Sequence, residues 1–275
     1  FSIVNAFNPS STLIPYNRSG GITSAIVIPS SARSIYSGMA SVFKLDGELV
    51  TDSIAKDIAM AVSFGAGSDS RASQILMLED SFEKVLRFKD SREQYSLLAD
   101  FDYDDYTIRD LEAILRVLNK EIPLIVRSNR AKDLLRMISL SNKYGIKIIF
   151  YGAKEGWRIA DVLAREGIPV ILDPMDNIPD SFDAIAARMD NAALLNAAGV
   201  KILITSQNTH NSYLSRQGAG NAAAYGLPQD EALKALTINV ADVFGLSKDR
   251  GSIEVGKFAD LVIWDGNPLE VSSFA

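Results

Sequence analysis

The sequence predicts an α/β protein built on parallel strands, read as a (β/α)8 barrel of the TIM type that is one strand short. Three observations carry that reading. A unit recurs three times in which an amphipathic helix stops at a glycine and a β-branched run follows at once: "NKYGIKIIFY", "REGIPVILD" and "AAGVKILITS". Four further strand-like runs precede them, which brings the strands to seven. Finally, 275 residues, 47% of them hydrophobic, are enough to bury one large core or two modest ones. A doubly wound open sheet shares these features and is the alternative; seven strands with helical crossovers in this length favour the barrel.

In chain order, "TSAIVIP", "SVFKLDG" and "AMAVSFG" read as the first three strands. Helices are expected at Ser73 to Lys89 and at Arg109 to Lys120, followed by the strand "PLIV". Gly145, Gly167 and Gly199 then stand where a left-handed C-cap ends each helix, because a residue without Cβ enters that conformation at no steric cost. The runs after these glycines are apolar on both faces, as a covered parallel strand requires. The tail "GSIEVGKFADLVIWDGNPLE" breaks the rhythm: two short β runs flank "VGKFAD" and no helix follows, so it reads as a hairpin outside the barrel. The expected division is a barrel over 1–250 and a hairpin over 251–275.

Composition removes several function classes. A formal charge of -6 and a pI near 5.0 offer no basic stripe for nucleic acid, and no apolar run reaches membrane-spanning length. Zero cysteines exclude disulfides and thiolate metal sites while fitting cytoplasm and periplasm equally. A soluble protein of open compartment is expected. Residue 1 is Phe and the start lacks a signal-peptide pattern, so the chain is expected to begin inside a longer gene product.

The tail, with "GLPQDEALKALTINVADVFGL" before it, resembles the closing segment of the amidohydrolase superfamily, nearest to imidazolonepropionase-like members. "GGITSAIVIP" resembles the second barrel strand of that family, "EIPLIVRSNRAKDLLRMISLSNKYGIKIIFYGAKEGWRIADVLAREGIPVILDP" the fifth to seventh, and "NAALLNAAGVKILITSQNTH" the eighth. The resemblance implies that the tail hairpin completes a small β-sandwich. It also implies zinc or another divalent metal at the C-terminal strand ends, where bound water becomes hydroxide and the scissile carbonyl is polarised. Carried over position by position, the two fifth-strand histidines fall on Arg127 and Asn129, the sixth-strand histidine on Tyr151 and the eighth-strand aspartate on Gln207. No lysine stands in "VSFGAGSDS", where the fourth-strand ligand is expected; Asp69 lies nearby. The first strand is not in this chain.

These departures point one way. A guanidinium has no acceptor and stays charged, amide oxygens are neutral, and a phenol ligates well only when ionised, near pH of about 10. His210 is the sole histidine. The expectation is therefore a catalytically degenerate member with no metal cofactor and a structural or ligand-binding role. Its partners would be a small or anionic molecule and an N-terminal segment or paralogous amidohydrolase chain. The alternative is a metal-dependent hydrolase of non-peptide or dipeptide C–N bonds, with first-strand ligands in a preceding segment. Arg127 would either bind an anion or, the favoured reading, neutralise Asp173 or Asp176 in "ILDPMD". His210 and Asp173 are candidates for the pocket mouth, His210 being more simply a solvated loop residue. "DYDDY" at 102–106 lacks calcium-loop spacing and reads as a solvated linker before a helix beginning near Ile108, and the glycines of "SRQGAGNAAAYG" lack a phosphate-loop pattern and read as a mobile loop leading into a helix.

Overall fold

The computed structural model describes residues 1–30, 35–47, 53–65, 70–90, 106–206 and 209–275. Seven strands form one sheet in sequence order: β1 (Ser24–Val27), β2 (Tyr36–Lys44), β3 (Ser53–Ser63), β4 (Leu124–Ser128), β5 (Ile148–Gly152), β6 (Val170–Leu172) and β7 (Ile202–Ile204). From β3 to β7 every pairing is parallel, whereas β1–β2 and β2–β3 are antiparallel. The expectation of helical crossovers throughout is corrected for the first three strands. Only residues 28–35 and 45–52 separate them, shorter than the dozen or so residues a parallel crossover needs.

The helices are α1 (Leu13–Ser19), α2 (Arg71–Asp90), α3 (Ile108–Leu118), α4 (Ala131–Tyr144), α5 (Ala160–Arg165), α6 (Asn191–Ala197), α7 (Ser215–Ala224), α8 (Gln229–Leu236) and α9 (Ile238–Val243); α2 to α8 cover the outer face, and α9 packs on the inner one. The two helices read from sequence match α2 and α3 within two residues at each end. Thr107 starts α3 through a reciprocal capping box with Asp110. Gly145, Gly167 and Gly199 have φ of 65°, 63° and 89°, the left-handed conformation that lets each chain turn from helix into strand.

Alternation along the strands divides the core in two. Met60, Val62, Leu124, Val126, Phe150, Val170 and Ile202 face the helices and meet Leu78 and Phe82 of α2, Leu134 and Met137 of α4, and Leu195 of α6. Ala40, Ala59, Ile125, Ile149, Ile171 and Leu203 point the other way into one cluster joined by Ile26 of β1 and by Val240, Val243 and Phe244 at α9. Residues from both edge strands share this cluster, so the sheet curls round it as a partial TIM-like barrel. Among the described residues β1 and β7 do not pair.

Residues 251–275 contain turns and extended chain but no assigned strand, so the expected hairpin is not confirmed. Val262 and Trp264 pack towards Gly21, while Ile253, Val255, Leu261 and Ile263 stand exposed. An isolated two-stranded ribbon is marginal in water unless another layer covers its apolar face, and no such layer lies among the described residues.

Candidate functional site

Parallel register brings the C-terminal ends of β4 and β5 side by side, Arg127 opposite Tyr151 and Ser128 opposite Gly152. The Arg127 guanidinium carbon lies 4.2 Å from the centroid of the Tyr151 ring. One Arg127 nitrogen, Nη2, donates to the Ile28 and Pro29 carbonyls at 3.4 and 3.3 Å, tying β4 to the end of β1. Among the described residues its buried Nε has no hydrogen-bond partner, and neither has the Ser128 hydroxyl. Among the described residues Arg127 forms no salt bridge, so the expected pairing with Asp173 or Asp176 is corrected. The reason is competition: Asp176 is held at 2.9 Å by Lys154, which a sequence scan cannot place there.

Burial pushes the Tyr151 phenol above its usual range. The Arg127 charge opposes that shift, while Asp173 and Asp176 add to it. The phenol is therefore protonated at neutral pH and presents no phenolate to a cation. Asp173 is half-buried beyond β6, accepting a bond from the Met175 N–H at 3.0 Å. Asn129 lies one residue past β4; its Oδ1 approaches Gly152 so closely that a Cβ there would sit 2.4 Å away. His210 is exposed in the 3-10 turn Thr209–Leu214. Gln207, Asp69 and residues 102–105 fall outside the described residues, and Tyr106 packs against the outer core.

Three functional-looking residues escaped the sequence reading. Lys154 is 5% exposed and contacts Asp176 and Asp180, each at 2.9 Å. Burial alone would lower its pKa, but the two carboxylates outweigh that and hold it above the usual value. Glu155, also buried, accepts from Ala131 N–H at the start of α4 and from Ala186 N–H, both at 3.0 Å, a favourable place for a carboxylate. Asn191 accepts from Trp157 N–H at 2.9 Å and donates to the Ala153 carbonyl at 3.1 Å. Together they fix the turn after β5, where Ala153 has a φ of 44°. A charged pair between two glycines directly after a strand was the available signal.

The metal of the resembled family can be tested against these donors. Arg127, Asn129 and a protonated Tyr151 supply no imidazole or carboxylate, and among the described residues no group of three or more His, Asp or Glu is arranged to hold an ion. A divalent ion about 4 Å from a guanidinium is opposed by roughly 8 kcal/mol at an effective dielectric near 20. The described residues do not fit the metal.

Comparison with known proteins gives a consistent picture. The model of the family described as "Amidohydrolase family" matches residues 128–275. A curated relative, "Amidohydrolase tasK" from Hapsidospora irregularis, is 27% identical over 98% of this chain, which spans 31% of that relative. An imidazolonepropionase from Sphingopyxis alaskensis is 51% identical over 51 residues, 18% of this chain and 13% of its own. The crystal structure of an amidohydrolase from Thermotoga maritima superposes with a TM-score of 0.85 at 28% identity, covering 98% of this chain and 73% of that one.

Proposed function

Because this chain belongs to the amidohydrolase family, we propose that it is a catalytically degenerate, metal-free member that binds a small anion at the C-terminal strand ends. The observation that carries the proposal is Arg127: a fixed cation stacked on Tyr151, with a buried Nε that has no hydrogen-bond partner among the described residues. An unmet buried donor on a charged group is costly, and a carboxylate or phosphate oxygen meets it with a charge-assisted bond. Asn129 lies two residues on, on the same side of the strand as Arg127, and its amide suits a remaining oxygen. The experiment is calorimetric titration with succinate and with inorganic phosphate. Wild type is expected to bind at least one of them saturably, and Arg127→Met to weaken it by about tenfold or more. Equal binding by the variant, or none by wild type, overturns the proposal.

A second reading is favoured by the 51% identity to an imidazolonepropionase over 51 residues. It is a metal-dependent hydrolase of C–N bonds whose ligands come from a preceding segment. Elemental analysis of chelator-free protein, with a C–N hydrolysis assay after zinc or manganese addition, separates the two. Near-stoichiometric metal with turnover lost to chelator and restored by metal supports the hydrolase. In either reading the open edges of β1 and β7 and the apolar side of residues 253–263 are covered by an N-terminal segment or a paralogous amidohydrolase chain, which builds the small β-sandwich.

A further inference from the structure

At the opposite end of the sheet lies a cavity of about 540 Å³ that the degenerate site does not use. Its wall includes Ile58 on β3, Pro123 before β4, Ile148 and Ile149 on β5, Pro169 before β6, and Phe244 just past α9. Arg127 and Pro123 sit at opposite ends of one strand, separated by about 13 Å at the usual rise per residue. The volume falls in the range of about 300–1,000 Å³ of small-molecule sites, and the lining is mixed, with an apolar wall and a polar, charged rim.

The rim decides what charge would enter. Its carboxylates are engaged: Glu121 with Arg116, Glu166 with Arg165, and Asp242 with Lys201. Lys120 and Lys147 are in no salt bridge among the described residues, although both line the cavity. Their charge is not needed to offset the helix dipoles, since Arg116, Lys143 and Arg165 already occupy the last turns of α3, α4 and α5. Lys120 carries a second anomaly. It has a φ of 63° at the turn from α3 to β4, the conformation that Gly145 and Gly167 adopt at the next two such turns. A lysine retained at a strained position that glycine fills elsewhere points to use of its side chain.

We infer that this cavity binds an amphipathic anion, a carboxylate or phosphate monoester with an apolar body. The body lies on the isoleucine and Phe244 floor and the head between Lys120 and Lys147. This inference is independent of the anion site at Arg127. The probes are octanoate and octyl phosphate, with 1-octanol as the uncharged match, titrated into the intact chain by calorimetry or ligand-observed NMR. Saturable binding of an anionic probe is expected, and clearly weaker binding of 1-octanol. Lys120→Gly should weaken the anion by about three- to fivefold, as loss of one partly exposed ion pair implies, and Lys147→Glu by more. Because glycine relieves the left-handed strain, Lys120→Gly should keep or raise the melting temperature, which separates lost binding from lost fold. Arg127→Met should leave octanoate binding unchanged. The inference is overturned by absent saturable binding, by equal affinity for 1-octanol, by unaltered affinity in both lysine variants, or by loss of binding in Arg127→Met.

Discussion

Lys154 is where single-residue chemistry reaches furthest. Its ammonium is nearly sealed from water yet bonded to two carboxylates that remain partly exposed, 35% for Asp176 and 44% for Asp180. Lys154→Met keeps the volume and removes the charge. A cost of about 1 kcal/mol is expected after discounting for screening of the exposed partners, measured by denaturant unfolding. The pH dependence follows from the shifts. Lys154 holds the Asp180 carboxyl below its usual value, so that contribution is present above the unfolded carboxylate pKa and is lost as pH falls through the folded one. The raised Lys154 value acts on the alkaline side, its contribution being lost as pH rises through the folded pKa. Wild type should therefore lose its advantage over Lys154→Met below a pH of about 4, read as converging melting temperatures.

Among elements, the turn leaving β5 is the most constrained. Gly152 has a φ of 97° and lies against Asn129, and Ala153 follows at 44° with its carbonyl held by Asn191. Gly152→Ala adds a Cβ in a conformation that L side chains avoid and displaces the Asn129 amide. Destabilisation of about 1–3 kcal/mol is expected, together with weaker anion binding because Asn129 leaves the Arg127 face. Denaturant unfolding and the succinate titration read the two effects separately. Unchanged stability would show that the turn relaxes without strain. Much of this region was legible: β4 and β5 were evident from their apolar runs, and shared register then requires Arg127 and Tyr151 to be neighbours. The bonds made by Arg127 were not legible, because the Ile28 and Pro29 carbonyls are about a hundred residues away and become adjacent only when β1 folds beside β2.

At the scale of the molecule, the exposed apolar side of the tail stands out. Leu261 and Ile263 are 57% and 87% exposed, whereas Val262 and Trp264, which alternate with them, turn inward. A period of two with one face packed is the pattern of a sheet surface awaiting a second layer. In the intact protein Ile263→Asp should therefore destabilise by about 2 kcal/mol, the cost of placing a charge in a covered apolar contact. A residue that stays in water would change stability by less than about 0.5 kcal/mol. Thermal unfolding of the intact protein and its variant decides between them.

Sequence alone determined β5 to β7, because the helix before each ends at a left-handed glycine and each strand is apolar on both sides; these are local requirements of backbone and solvent. It also set which donor groups Arg127, Asn129 and Tyr151 carry, a guanidinium, an amide and a phenol, since donor chemistry belongs to the residue and not to its surroundings. Tertiary structure alone decided that β1 to β3 run antiparallel, that Lys154 and not Arg127 takes Asp176, and that Lys120 and Lys147 overlook a cavity. Each of those depends on which distant segments are brought within a few ångströms, and chain spacing carries no record of that.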